Sequence, residues 1–573
     1  MRMNEHQSGC GTRGMCSSVR KPQHLILIVT GLLAAGLVCP GAFADDAAAV
    51  AVTPDAFSLL PAVIAIALAF LLRQVIPAIF AGLWVGATLT HGLSVNGLWQ
   101  GLLDSIGVYI LNALADKDHM SIILFSLMIG GMVGVIGRNG GMAGIVRSLS
   151  AIASTRERGQ IATSLLGTAI FFDDYANTMV VGNTMRPITD RLRISREKLA
   201  YLVDSTAAPV ASLALVTTWI GFQVGLIDDA TREIEGVTQS GYAIFLSALP
   251  YGFYSILALI FVYLIATTGR DFGPMLEAEQ KAVTSVPGYE GPAPDTPEAS
   301  ARAINALLPL GVLILGTLAG IYWTGKAGLP DTASLRDIVG NGNSYQAMLW
   351  ASTLAVITAI AMSLITRSLS LEDAINSWME GLKLLVPAII ILTLAWSLAG
   401  VNEALHTAEF LSATLSGQIA PALLPTVIFV LAAAMAFATG SSWGVMGILI
   451  PLAVPLTWAV LAPTGIDIAS SPIFLASIAA LLSGAVWGDH CSPISDTTIL
   501  SSMASGCDHI AHVKTQIPYA LTVGLVAILA GSLPAGLGVP VWLCLAAGVA
   551  VLVGIIMIFG KRASIREIDQ SNN

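Results

Sequence analysis

Charge is what this chain has least of. Only 11% of its 573 residues are Asp, Glu, Lys or Arg, against roughly 25% in a soluble domain. So few charges cannot cover a water-exposed surface of this size, which excludes a soluble enzyme or soluble binding module. Basic tracts are equally scarce. The longest, Arg191 to Lys198, lies between apolar segments, and the net charge of −9 offers nothing to nucleic acid. There are six cysteines, and Cys10, Cys16 and Cys39 precede residue 45. Cys491, Cys507 and Cys544 have neither metal-ligand spacing nor a disulfide plan. No His-Glu-x-x-His motif occurs. Gly320–Ala327 approaches a phosphate loop but ends in Ala where Ser or Thr is required, which removes a primary ATP-driven pump. No enzymatic activity and no cofactor are expected.

What the chain does have is long apolar runs, 55% hydrophobic residues and a mean hydropathy of +0.78. The class this implies is an all-α polytopic membrane protein. A hydrocarbon core of about 30 Å takes about 20 helical residues. Spans are expected at 57–72, 75–92, 119–137, 199–224, 242–267, 304–324, 345–366, 384–400, 473–505, 517–533 and 539–559, eleven in all. Segments 160–190 and 420–465 are long enough to enter and return, and read as re-entrant hairpins. Segment 98–116, interrupted by Asp104, reads as an interfacial helix.

The first 45 residues have the parts of a secretory signal. Arg2, Arg13, Arg20 and Lys21 precede the apolar run Leu25–Val38, and Ala42-Phe43-Ala44 forms a small-x-small cleavage site. Residues 1–44 are therefore expected to be removed, the alternative being an uncleaved first helix, and both readings place Asp45 outside the cytoplasm. Starting outside at Asp45 and alternating, 19 of the 27 Lys and Arg fall in cytoplasmic loops, as the positive-inside rule asks. Both flanks of 160–190 are basic. No Lys or Arg occurs between residues 384 and 513, so both flanks of 420–465 read as periplasmic. Five spans separate the hairpins, the odd number that inverts the second half relative to the first. The expected organisation is a first membrane half at 57–267, a Pro-rich cytoplasmic linker at 268–303, a second half at 304–560 and a cytoplasmic tail at 561–573. The location is the bacterial inner membrane, with the mature N-terminus periplasmic and the C-terminus cytoplasmic.

The halves also echo one another. DDYANTMVVGNTMRP (173–187) aligns with SSWGVMGILIPLAVP (441–455), and DSTAAPVAS (204–212) with GDHCSPISD (488–496). Each half thus offers a hairpin with a polar tip, then a long span broken by a polar stretch with a proline, Pro209 or Pro493. A proline removes a backbone donor, and freed backbone survives in a membrane only inside protein or beside a cavity. Ser205, Thr206, Ser492, Ser495 and Thr497 supply oxygens at these breaks.

Ionisable groups at that depth set the sign of the cargo. They are Asp173, Asp174, Asp204, Asp489, His490 and Asp496, with no Lys or Arg among them unless Arg186 reaches in. A buried carboxylate without a basic partner needs a cation or a proton. Hard oxygen ligands suit sodium. Asp173, Asn177 and Thr178 at one tip, with Asp489, Ser492 and Asp496 at the other break, form such a set. Sodium is expected at Asp173, Asn177, Asp489 and Asp496. His490 could pass protons or serve only as a structural donor. Asp204 could do no more than organise its break.

The motifs FFDDYANTMVVGNTMRPITDRLRISREKLAYLVDSTAAPVAS and GDHCSPISDTTILSS resemble the NhaC-type sodium/proton antiporter family, of the ion transporter superfamily, over roughly 57–560. The resemblance implies two inverted repeats, a scaffold and a mobile transport part, elevator-like alternating access and often a homodimer. It places sites at Asp173–Thr178, Ser205–Ser212, Ser441–Ser442 and Asp489–Thr497, and so adds Ser212, Ser441 and Ser442. Sodium, protons and lipid are the implied partners. Some family members resemble sodium-driven carriers of amino acids or carboxylates, so uptake or exchange of a small organic solute is the alternative.

Overall fold

The computed structural model describes residues 56–563 except 73, 151–152, 233, 235–236, 238, 285–301, 328, 331–337, 339–341, 408–409, 411–419 and 465–467. The expected signal segment and the Pro-rich core of the linker lie outside the described residues.

Helices dominate, as they must where lipid offers backbone groups no hydrogen bonds. The first half contains α1 (Leu60–Leu72), α2 (Val75–Thr90), and α3 (Val95–Asp104), which runs through a π-helical turn into α4 (Leu111–Ala115). It continues with α5 (Lys117–Arg138), α6 (Gly141–Ser150), α7 (Arg156–Ala169), α8 (Asp174–Arg191), α9 (Arg196–Leu213), α10 (Thr218–Arg232), α11 (Gly241–Ala248) and α12 (Phe253–Thr268). Strand β1 (Arg270–Asp271) and α13 (Gly273–Thr284) follow. The second half contains α14 (Ile304–Lys326), α15 (Ser344–Ile365), α16 (Leu371–Ala404), α17 (Leu424–Thr439), α18 (Ser442–Leu461), α19 (Pro472–Cys491), α20 (Asp496–Ser505), α21 (His509–Val526), α22 (Leu533–Gly536), α23 (Val541–Phe559) and strand β2 (Lys561–Arg562).

Among the described residues, nine helices are long and apolar enough to cross a membrane, or eleven if two bent pairs each count as one span. The chain is a multi-pass membrane protein. Its outer faces are apolar: Trp323 on α14 and Ile558 on α23 are 77% and 76% exposed. The eleven are not the same eleven that hydropathy picks out. Helices α1 and α2 are shorter than a full crossing, whereas α18, and α17 together with the turn Pro421–Leu423 before it, are each long enough to cross. Length alone therefore does not require 420–465 to re-enter. The segment expected at 242–267 bends by 50° at Gly252. The segment 98–116 is helical from Val95 to Ala115.

Two packing groups position the site. Helices α5, α15 and α16 pack together, with α14 on α15 and α2 on α16. Close approach explains the small residues: a Cβ on Gly134 would strike the Ser377 carbonyl, and one on Gly381 would strike that of Gly130. The Gly-x-x-x-Gly pair at Gly130 and Gly134 is thus spent inside the chain rather than on a dimer. The second group is α7 to α9, α12 and α17 to α21. It interlocks the halves, because α8 and α9 pack on α20 and α9 packs on α21.

Many basic residues collect at one end of the molecule. Arg156 bonds the Arg193 carbonyl at 2.6 Å, Arg196 that of Gly506 at 3.0 Å, and Arg562 Nε that of Thr268 at 3.1 Å. This basic end also corrects the linker's extent. Residues 270–284, expected to be a loose connection, are folded. Strand β1 pairs antiparallel with β2, Arg270 opposite Arg562. Glu279 of α13 is buried, accepting from Arg156 at 2.6 Å and from the Ser195 N–H at 2.7 Å. Asp271 pairs with buried Lys198 and accepts from Tyr519 Oη at 2.6 Å. Composition misleads because charged residues read as linker although each of these has a partner elsewhere in the chain.

Candidate functional site

The first hairpin turns at 170–173, between α7 and α8. Asp173 caps α8: its Oδ1 accepts the Ala176 N–H at 2.8 Å. Its Oδ2 accepts from Thr218 Oγ1 at 3.1 Å, while the Thr218 N–H donates to the Phe172 carbonyl at 3.0 Å. The tip is therefore stitched to the break at 214–217, where α9 and α10 bend by 45°. Asn177 sits one turn into α8 and is fully buried. Its Nδ2 donates to the carbonyls of Gly167 (2.6 Å), Ile170 (3.0 Å) and Thr206 (3.2 Å). Three acceptors fix the amide's orientation, and its Oδ1 is left without a donor. Both carboxylate oxygens of Asp174 are also buried and lack a closed hydrogen bond, as does the Trp219 indole N–H in the same surroundings.

The second hairpin repeats this construction. Ser441 caps α18, accepting from the Gly444 N–H at 3.3 Å. Gly440 turns the chain with φ of +69°. The break at 492–495 docks on this tip: the Asp496 N–H meets the Gly440 carbonyl at 3.4 Å, and Ser492 Oγ donates to the Phe437 carbonyl at 2.8 Å. At the end of α19, Asp489 is buried, with Oδ1 lacking a donor and the Ser495 hydroxyl as its bonding neighbour.

The two sites face each other. Tyr175 lies within electrostatic reach of Asp173, Asp174, Asp489 and Asp496, and its hydroxyl bonds to Asp496. Asp489 likewise senses Asp174. Trp443 packs edge-on against Trp219 (5.5 Å) and Phe222 (4.8 Å). A buried acceptor left without a donor costs about 1–3 kcal/mol. Asp174, Asn177 and Asp489 together present several, and a cation with little water would satisfy them.

Of the expected residues, Asp173, Asp174, Asn177, Asp489 and Asp496 come together, Asp496 at an exposed rim. Several hydroxyls are committed to main-chain carbonyls instead: Thr178 to Asp174 at 2.7 Å, Thr206 to Leu202 at 2.7 Å, and Ser212 to Pro209 at 2.9 Å. Ser205, Ser442 and Thr497 are buried, and Thr497 bonds Ser495 at 3.2 Å. His490 points Nδ1 at Tyr254 Oη, 2.8 Å away. Pro493 lies in its break. Pro209 does not: α9 runs through it to Leu213, and the bend falls at 214–217. A proline interrupts one hydrogen bond, which neighbouring turns tolerate, whereas four non-helical residues end the helix. Arg186 does not reach the acids; its guanidinium lies against Gly506 at the basic end. Asp204 is fully buried, accepting from Thr498 and Ser501 at 3.2 Å each and from Gln516. Sequence reasoning missed Thr218 and Gln516, and gave Tyr175 no role of its own within Asp173–Thr178. Gln516 was legible as a polar residue beside the apolar run 517–533.

Two cavities flank the Asp173–Thr218 contact. A cavity of about 690 Å³ opens between α5, α16 and α8, lined by Arg138, Asp373, Asn376, Glu380, Ala176 and Val180, among others. Its lining thus includes the turn that Asp173 caps. On the other side, a space of only about 10 Å³ is bounded by Ser126, Thr218, Phe222, Leu392 and Trp443.

The chain matches the sequence profile of the Na+/H+ antiporter family over residues 210–533. It is 32% identical over 476 residues to an uncharacterized protein of Haemophilus influenzae, covering 82% of this chain and 88% of that one. It is 30% identical over 148 residues to the malate-2H(+)/Na(+)-lactate antiporter of Bacillus subtilis, covering 26% of this chain and 30% of that one. Among solved structures, the Alcanivorax borkumensis YdaH transporter superposes with a TM-score of 0.56 at 16% identity, covering 78% of this chain and 91% of that one. That likeness concerns the fold alone.

Proposed function

The chain belongs to the Na+/H+ antiporter family, and from that premise we propose that it exchanges sodium for protons across the membrane. It is a transporter, not an enzyme. The observation that carries the proposal is the set of buried acceptors without donors, at Asp174, Asn177 and Asp489, where the two hairpin tips and two helix breaks meet. Protonation of the carboxylates satisfies them in one state, and sodium in the other. Because one set of oxygens serves both, the ions compete.

Access follows from the cavities. By the positive-inside rule the basic end is cytoplasmic. The wide cavity carries Arg138 and so opens to that side, while the aromatic side chains Phe222 and Trp443 narrow the other. This supports a cytoplasm-facing state. Movement of the hairpins and broken helices along α5 and α16 exchanges the open side in an elevator-like cycle. The bacterial plasma membrane is the corresponding location.

One observation favours a second reading. A cavity of about 690 Å³ far exceeds a sodium ion, and Arg138 in its lining could hold a carboxylate. The Bacillus subtilis relative is named for malate and lactate. An organic acid moving with sodium is therefore the alternative.

The test uses everted vesicles and a pH-sensitive dye. Sodium addition is expected to move protons without any organic solute. Asp174→Asn and Asp489→Asn should each reduce that flux to background while the protein still inserts. Lowering pH should raise the sodium concentration needed for half-maximal flux and leave the maximum. Flux that appears only with malate or lactate supports the second reading.

A further inference from the structure

Behind Asp204 lies a hydrogen-bonded chain that the exchange site does not use. It runs from His509, at the basic end, to the buried interface of α9 with α20 and α21. His509 Nε2 meets the Pro493 carbonyl at 2.6 Å, and its Nδ1 meets Ser502 Oγ at 3.1 Å. The same hydroxyl meets His512 Nδ1 at 2.9 Å and donates to the Thr498 carbonyl at 2.7 Å. His512 Nε2 meets Gln516 Oε1 at 2.9 Å. Gln516 Nε2 donates to Asp204 Oδ2 and, at 3.0 Å, to the His490 carbonyl. His512, Gln516 and Asp204 are fully buried.

Donor counting orders this chain. The Gln516 amide nitrogen faces two acceptors, so its oxygen faces His512, and His512 Nε2 must carry hydrogen. The Pro493 carbonyl imposes the same on His509 Nε2. Each ring is thereby left with Nδ1 as its variable nitrogen, and both variable nitrogens face one serine hydroxyl. Asp204 is held by three donors, an arrangement that suits a carboxylate. A proton on His512 gives it an opposite charge one amide away. The other titratable neighbours are Asp489 and His490 on α19, Tyr254 on α12 and His509 on α21 itself.

We propose that His509, Ser502 and His512 form a proton path from the basic surface, ending at a proton-binding site on His512 Nδ1 for which Asp204 is the counter-ion. The inference rests on the exchange reading above and names where its proton is loaded. In the step, the Ser502 hydrogen swings from the Thr498 carbonyl to His512 Nδ1 and passes to it as the proton on His509 Nδ1 passes to Ser502 Oγ. Ser502 ends unchanged, and the positive charge has moved from His509 to His512. Because Gln516 also grips the His490 carbonyl, the loaded state bears on the residue next to Asp489.

Two variants in everted vesicles test it. His512→Gln should lower sodium-driven proton flux at least about tenfold and flatten its pH dependence. Sodium-for-sodium counterflow, which needs no proton, should fall far less. His509→Ala should slow proton flux, and imidazole added at the basic side should restore it, because a small base can replace a proton port but not a structural prop. Unchanged proton flux in His512→Gln overturns the proposal. So does an equal loss of counterflow and proton flux in a normally inserted protein, or a His509→Ala defect that imidazole leaves untouched. If wild-type vesicles move no protons on sodium addition, the exchange reading falls and takes this inference with it. Wild-type flux beside an indifferent His512→Gln removes the inference alone.

Discussion

Asp116 and Asp174 are carboxylates at the first turns of helices, and their hydrogen bonds give them opposite fates. Asp116 caps α5, accepting from the N–H groups of Asp118 (2.8 Å) and His119 (3.0 Å). Partial burial pushes its carboxyl upward. The His119 and Asp118 N–H groups and the charges of His119 and Arg232 outweigh that and hold it below the usual 3.8. A folded value below the unfolded one contributes stability above the ordinary value, and that stability is lost as pH falls through the lowered one. Asp116→Ala should therefore cost about 1 kcal/mol at neutral pH. The melting difference from wild type should shrink in acid below the ordinary carboxylate range. Neither oxygen of Asp174 closes a hydrogen bond of this kind, and its replacement is expected to disturb transport rather than stability. The pair Asp173-Asp174 was legible as a candidate site because both acids fall in a segment read as lying within the membrane. Their division of labour was not legible. It depends on Thr218, 45 positions away, taking one oxygen of Asp173.

The hairpins and breaks show what periodicity and composition can reach. Hairpins expected at 160–190 and 420–465 appear as helix pairs at 156–191 and 424–461, because Gly, Asp and Ser at the tips end one helix and cap the next. The second break was placed correctly, and the first was misplaced onto Pro209. A lone proline is a weak stop when its flanks are apolar and buried. The tip at Gly440 has less freedom. Its φ of +69° is left-handed, and a Cβ there would strike the Ile494 carbonyl of the break. Gly440→Ala should cost at least about 1–2 kcal/mol and loosen the second tip from its break. Cysteine accessibility at Ile494→Cys, read with a membrane-permeant thiol reagent, should rise in that background. Unchanged labelling would show that the tip tolerates the side chain.

At the scale of the whole molecule, the class, the order of features and the halves' correspondence were readable from apolar runs and polar interruptions. The interlocking of the halves was not, because it rests on pairs such as Asp204 with Gln516 that are remote in sequence. The wide cavity separates α8 from α5 and α16, the parts that must slide if access alternates. A thiol pair at Val180→Cys and Ser377→Cys, both in its lining, should be bridged by a short bifunctional reagent. The bridge should stop transport, and cleaving it should restore transport. Full activity with the bridge intact would rule out sliding at this surface. The two-residue ribbon of β1 with β2 has a separate consequence, which concerns how the protein is made. Arg270–Asp271 is synthesised before the second half exists, and its partner Lys561–Arg562 follows the last helix of that half. Asp204 waits for residues 498–516 in the same way, and Asp271 for Tyr519. A ribosome that has just finished α13 therefore holds a first half whose buried acids lack these donors. Closure of the ribbon waits until the whole second half has been made, and a chain truncated before Lys561 leaves the ribbon open however well its helices have inserted.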